Sequence, residues 1–141
     1  MAAKRTTPSG VRRKRSPLVY LVDDEPVLLD LLEFALKHDG YTLRKFQDAE
    51  KALAAFLKAR PKPDLLVTDY ALGKMNGLEL IEKCRRVWPG LKIVMVSGTA
   101  NAEIADRSPV RLDNFLGKPY QPAKLSEMVR QALAGDLHVS A

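Results

Sequence analysis

Short apolar runs alternate with segments of helical period along most of this chain. LVYLV at 18–22 is apolar throughout, the pattern of a strand buried on both faces. From Pro26 to His38, apolar residues at 27, 28, 31, 32, 34 and 35 recur at helical spacing. The leading proline is harmless there, because its missing N–H would have no partner in a first turn. Asp39-Gly40 ends that helix in this reading, and YTLRKF alternates as a strand near a sheet edge does. Asp48 is placed to cap a second helix with Ala49, Ala52, Leu53, Phe56 and Leu57 on one face, stopped by Pro61 and Pro63. DLLVTD is the next buried run, and LELIEKCRRVW reads as a third helix closed by Pro89-Gly90. LKIVMVSG is another buried strand, and NAEIADRS a short fourth helix cut off by Pro109. DNFLGKP gives a brief strand into Lys118-Pro119, and PAKLSEMVRQALA a final amphipathic helix. Five strand–helix units with short connections predict an α/β fold, a (βα)5 doubly wound, five-stranded parallel sheet covered by helices on both faces. The folded domain spans residues 18–134, between an N-terminal tail, 1–17, and a short C-terminal tail, 135–141.

The formal charge of +6 belongs to one segment. Lys4, Arg5, Arg12, Arg13, Lys14 and Arg15 lie within residues 1–17, which hold no acidic group, and the basic groups beyond them equal the 17 acidic ones. A balanced body argues against a nucleic-acid-binding fold with a basic face. Contact with nucleic acid or an anionic membrane is left to the tail alone. Pro8, Gly10, Pro17 and the scarcity of apolar side chains predict that this tail is disordered. Only five apolar residues follow it before Asp23-Asp24-Glu25, too few for a signal-peptide core. No apolar run approaches the roughly 18 residues that cross a bilayer. Cys84 is the one cysteine, which excludes an internal disulfide and a cysteine metal cluster, so a reducing, cytoplasmic setting is the simplest expectation.

In a sheet of this kind ligands bind outside the carboxyl ends of the strands. The first strand delivers Asp23-Asp24-Glu25 there, the third Asp69, the fourth Ser97-Gly98 and the fifth Lys118-Pro119. Clustered carboxylates repel one another, and a hard divalent cation such as Mg2+ offsets that repulsion through oxygen ligands. A carboxylate held in such a cluster can attack phosphorus. The charge on a transferring phosphoryl group then calls for cationic and hydrogen-bonding partners, which Lys118 and Ser97 can supply.

The ordered set DDE, D-x-x-x-x-x-M-x-G, S-G and F-x-x-K-P resembles the receiver domain of two-component response regulators over about Leu18 to Ala134. The resemblance implies the flavodoxin-like strand order 2-1-3-4-5, with Asp69 as phosphoacceptor. It further implies direct Mg2+ ligation by Asp24 and Asp69, Asp23 acting through water, and the backbone carbonyl of Ala71 completing the protein ligands. Lys118 would contact the phosphoryl group and precede a cis bond to Pro119, while Ser97 and Phe115 would form the switch. The phosphodonor implied is a histidine kinase or a histidine phosphotransfer protein. The domain would promote its own phosphorylation and dephosphorylation without being a turnover enzyme. This chain departs from the pattern at Gly73, where proline is usual, at Ser97, where threonine is commoner, and at SPVRLDN, the approach to the fifth strand. Phe115 also lacks the hydroxyl of the tyrosine often found there. Without a following output domain in the sequence, and with an initiating methionine, the expectation is a stand-alone receiver that signals by protein contact or onward phosphotransfer.

Other classes fit less well. An aspartate-nucleophile phosphatase would carry D-x-D on its first strand, which DDE is not, and a flavodoxin would have a hydroxyl-rich phosphate loop where this chain has carboxylates. A DNA- or membrane-tethered adaptor would work through the basic tail, with strongly salt-dependent binding. Cys84 falls on the core face of the third helix, His38 suits the end of the first, and Trp88 is expected to pack under the third helix. His38 and His138 are too far apart in sequence to suggest a metal site.

Overall fold

The computed structural model describes residues 15–98 and 101–135; the expectations for most of the N-terminal tail, for the C-terminal tail and for His138 concern residues outside these. Five strands and five helices alternate in the order β1 Leu18–Val22, α1 Pro26–Leu36, β2 Thr42–Phe46, α2 Ala49–Lys58, β3 Leu65–Thr68, α3 Gly77–Val87, β4 Lys92–Gly98, α4 Ala102–Arg107, β5 Asn114–Lys118 and α5 Pro122–Ala134. The strands form one sheet in the order β2-β1-β3-β4-β5, every pair parallel. This is the (βα)5 fold of order 2-1-3-4-5 that the sequence implied.

Alternate strand residues feed two cores. Val19, Leu21, Val67, Val94 and Val96 pack with Leu29, Leu32 and Leu36 of α1 and Leu125, Val129 and Ala132 of α5. On the other face Tyr20, Val22, Leu66, Ile93 and Met95 pack with Phe56 of α2 and Leu80, Ile81 and Cys84 of α3. Burial on both faces is why the central strands lack polar alternation. Cys84 is buried as expected, and burial pushes its thiol up to about 12. Asp48 caps α2 by accepting from the Lys51 N–H at 2.7 Å. Asn76 and Glu79 form a capping box at the start of α3, a reciprocal pairing of first-turn donors.

Four expectations need correction. The buried face of α1 is Leu29, Leu32 and Leu36, whereas Val27, Leu31 and Phe34 are exposed. PVLLDLLEFAL is apolar on nearly every side, so its period did not fix its phase. That helix also ends at Leu36 rather than at Asp39-Gly40, and His38 stands beyond its Lys37 cap, exposed in the following turn. Leu57 was assigned to the packed face of α2 but is 50% exposed. Trp88 is 48% exposed instead of packed under α3. It lies four residues after Cys84, the next core position of a continuing helix. The helix stops at Val87, however, and the backbone leaves helical geometry at Trp88 (φ −139°, ψ 84°), so Leu91 fills the core instead.

Candidate functional site

The carboxyl ends of β1, β3, β4 and β5 bring Asp23, Asp69, Ser97 and Lys118 into direct contact. Lys118 Nζ donates to Asp23 Oδ2 and to Asp69 Oδ2, each at 2.9 Å. Ser97 Oγ donates to Asp69 Oδ1 at 2.5 Å, and the N–H of Ala71 donates to the same oxygen at 3.2 Å. Asp23 Oδ1 accepts the N–H of Glu25 at 3.0 Å. Asp23, Asp69 and Ser97 are all buried, while Asp24 is exposed at the rim. The Lys118–Pro119 bond is cis, as the resemblance implied, and Arg60–Pro61 is cis as well.

Burial outweighs the help Asp23 receives from the Glu25 N–H and from Lys118, so its carboxyl is held above the ordinary aspartate range; the charge of Asp69 adds to the rise. Burial pulls Lys118 down, but its hydrogen bonds and charge attraction to Asp69 and Asp23 prevail and leave the ammonium above its usual value. The lysine is thus a fixed cation between two carboxylates. Oxygen atoms of Asp23, Asp24 and Asp69 lie within 4.8 Å of one another. This all-oxygen, acidic donor set fits a hard divalent cation such as Mg2+.

The loop after Asp69 is built for close approach. A Cβ at Gly77 would stand 2.2 Å from the backbone oxygen of Asp69, so only glycine lets the first turn of α3 pack there. The N–H of Gly77 closes the loop onto the carbonyl of Tyr70 at 2.7 Å. Gly73 has φ +89°, a value closed to proline, so the loop takes a course here that proline could not follow. Gly98 leaves open space where a Cβ would be. Phe115 is half-buried against the α2/α3 core, beside the segment following α4.

Sequence reasoning missed two participants. Asn101 Nδ2 donates to Ser97 Oγ at 2.8 Å, fixing which partner the hydroxyl's own proton takes. The only signal was an amide four residues beyond the serine. The second is an apolar groove beside Asp23 and Lys118, formed by Leu28, Leu31 and Leu32 of α1 with Tyr120 and Pro122. Leu28, Leu31 and Leu32 were legible as apolar positions of α1, but nothing in the sequence brought them together with Tyr120 and Pro122.

The response regulator receiver domain profile matches residues 19–130. The chain belongs to that family. A probable transcriptional regulatory protein, TcrX of Mycobacterium tuberculosis, is 34% identical over 105 residues, covering 72% of this chain and 43% of its own. A putative two-component response regulator of Arabidopsis thaliana is 32% identical over 116 residues, 82% of this chain but 19% of its own. This receiver chain therefore spans less than half the length of those two relatives. An uncharacterized 14.6 kDa protein of Leptolyngbya boryana, 34% identical, is matched over 80% of this chain and 87% of its own. Among solved structures, a CheY-like receiver domain protein of Methanospirillum hungatei shares 27% identity at a TM-score of 0.76, with 88% of this chain and 98% of the other covered. NtrX of Brucella abortus gives 29% identity and a TM-score of 0.79 over 89% of this chain and 29% of its own.

Proposed function

We propose that this receiver acts as a stand-alone, Mg2+-dependent phosphoacceptor in the cytoplasm, taking a phosphoryl group onto Asp69 from a phosphohistidine of a histidine kinase or histidine phosphotransfer protein. The observation that carries the reading is the bridging of Asp23 and Asp69 by Lys118 with Ser97 Oγ on the other oxygen of Asp69. It supplies a nucleophilic carboxylate with a cation and a hydroxyl already aimed at where phosphoryl charge would gather. In the transfer, an Asp69 oxygen bonds to phosphorus as the P–N bond breaks, and the imidazole leaves with its electron pair. Lys118 and Ser97 then turn from the carboxylate to the phosphoryl oxygens. Asp24, Asp69, Asp23 and the Ala71 carbonyl would hold Mg2+, which when bound supplies charge neutralisation at the carboxylates and phosphoryl oxygens. Ser97 and Phe115 form the switch in this reading, and output passes through altered protein contacts or onward phosphotransfer.

The apolar groove between α1 and Tyr120 opens beside Asp23 and Lys118. With the exposed side chains of Val27, Leu31 and Phe34, it offers the donor a surface next to the acceptor. No helix among the described residues is long and apolar enough to cross a membrane, which is compatible with the cytoplasmic reading. Incubation with acetyl phosphate or a phosphorylated donor and Mg2+ tests the proposal. Label should appear on the wild-type chain and vanish in Asp69→Asn; label retained by that variant would overturn the assignment.

A further inference from the structure

The end of the sheet opposite Asp69 carries an apolar patch that phosphoryl transfer does not use. Helices in this fold run against the strands, so the carboxyl ends of α2 and α3 lie beside the strands' amino ends. There Leu57, Val87 and Trp88, each close to half exposed, share one shallow hollow with Arg60 and Lys62. A second hollow on the same Trp88 adds Lys92. Arg15 and Asp64 line both. Their ion pair, 3.3 Å, and the 2.8 Å bond from the Leu18 N–H to Asp64 bring residue 15 out beside the indole. Immediately before it the sequence reads Arg12-Arg13-Lys14. Among the described residues, four cations and one carboxylate thus border the patch, and Arg12, Arg13 and Lys14 come directly before Arg15 in the sequence.

We propose that this face docks on an anionic lipid surface. Stable attachment to a membrane takes two signals, an apolar insertion and a polybasic attraction. Here Leu57, Val87 and the Trp88 indole provide the first, and Arg15, Arg60 and Lys92 the second. Trp is suited to the headgroup boundary because its ring is apolar while its N–H stays hydrated. Lys62 contributes less, because its ammonium is tied to the Phe56 and Leu57 carbonyls at 2.7 and 3.0 Å. Two aliphatic side chains favour lipid over single-stranded nucleic acid, which would need several aromatic stacking faces. In the docked orientation the edge bearing Asp69 points away from the membrane, open to its phosphodonor.

Trp88 is the only tryptophan, so its fluorescence reports directly on the patch. The full chain is mixed with phosphatidylcholine vesicles with or without phosphatidylserine. The expected result is a blue shift of Trp88 emission and co-sedimentation with the anionic vesicles, about tenfold stronger than with neutral ones and weakened by salt. Leu57→Asp and Val87→Asp should each suppress the blue shift while leaving phospholabelling of Asp69 intact. Replacing Arg12, Arg13, Lys14 and Arg15 with Gln should reduce sedimentation. Unchanged emission and no sedimentation with anionic vesicles would overturn the proposal. So would an oligonucleotide response without a vesicle response, which would assign the face to nucleic acid. Self-association abolished by Leu57→Asp in the absence of vesicle binding would assign it to a second copy of the chain and overturn the lipid reading too.

Discussion

Ser97 Oγ donates to Asp69 Oδ1 at 2.5 Å while accepting from Asn101 Nδ2 at 2.8 Å. The serine proton is therefore committed to the acceptor carboxylate, and the asparagine holds the hydroxyl in that orientation. Once Asp69 carries a phosphoryl group, the same hydroxyl has a more charged oxygen to serve, and its bond to Asn101 need not survive the change. Removing one preorganised donor of this kind costs about tenfold or more in rate. Ser97→Ala should accordingly slow labelling of Asp69 by acetyl phosphate by at least about tenfold. Asn101→Ala, which loses only the orienting bond, should slow it less. Labelling time courses on both variants check the ranking, and an Asn101→Ala rate equal to wild type would show that Asn101 does not act through Ser97.

Burial works against the charge of Asp23 in the metal-free fold. Its folded carboxyl is raised by burial above the ordinary value of 3.8, so the protonated form is the one folding favours. The stability this confers is fully present below the ordinary value and is lost as pH rises through the raised one. Asp23→Asn should therefore stabilise the metal-free protein at neutral pH by about 1 kcal/mol, a few degrees in Tm. It should also flatten the acid side of the stability profile and weaken Mg2+ binding. Thermal melts across the acidic range, with and without Mg2+, separate these effects, and a lower neutral-pH Tm would mean that the lost Lys118 contact outweighs the relief from burial.

The contact between Gly77 and the Asp69 backbone yields a prediction in which stability and function move together. A Cβ at 2.2 Å from the Asp69 oxygen cannot be accommodated by a rotamer change, because the obstructing atom is backbone. Gly77→Ala should cost about 3 kcal/mol. In whatever fraction remains folded it should also displace Asp69 from Lys118. Denaturant unfolding measures the first effect, and labelling per folded molecule, normalised by circular dichroism, measures the second. A variant as stable as wild type would show that the start of α3 can shift without cost.

The strands and the acidic cluster were legible because each rests on a local signal. LVYLV, LLVT and KIVMVSG are apolar runs because they are buried on both faces, and Asp23, Asp69 and Ser97 stand where such runs end. Lys118 and Asp23 are 95 positions apart, yet the parallel topology alone brings their strand ends to one edge. What stayed illegible depends on phase or on distant partners. The first helix is apolar on nearly every side, so its period did not single out Leu29, Leu32 and Leu36 as the inner face. Trp88 continued the spacing of a helix that had already stopped. Asn101 acts through a side-chain bond that no periodicity marks.

Arg85 is a further long-range organiser of this sort, acting on the departure at SPVRLDN. Its Nε and Nη2 donate to the Leu91 carbonyl at 3.1 and 2.9 Å, its Nη1 donates to the Arg111 carbonyl, and Nη2 lies 3.5 Å from Asp113 Oδ2. Asp113 in turn accepts the Ile93 N–H at 2.6 Å and donates its own N–H to the Ile93 carbonyl at 2.8 Å. One guanidinium thus ties the chain between α4 and β5 to the start of β4, at the sheet end away from Asp69. Both side chains are largely buried, 14% and 6% exposed, so the pair is not discounted as a solvated surface bridge would be. Arg85→Met should cost about 2 kcal/mol and speed hydrogen exchange between Ser108 and Asp113. Arg85→Lys should recover only part of the loss, because an ammonium cannot span two carbonyls and a carboxylate as the planar fork does. Labelling of Asp69 in the folded Arg85→Met protein should stay at the wild-type rate. A loss of labelling matching the loss of protection would instead make this clamp part of the path between the acceptor and the α4–β5 face.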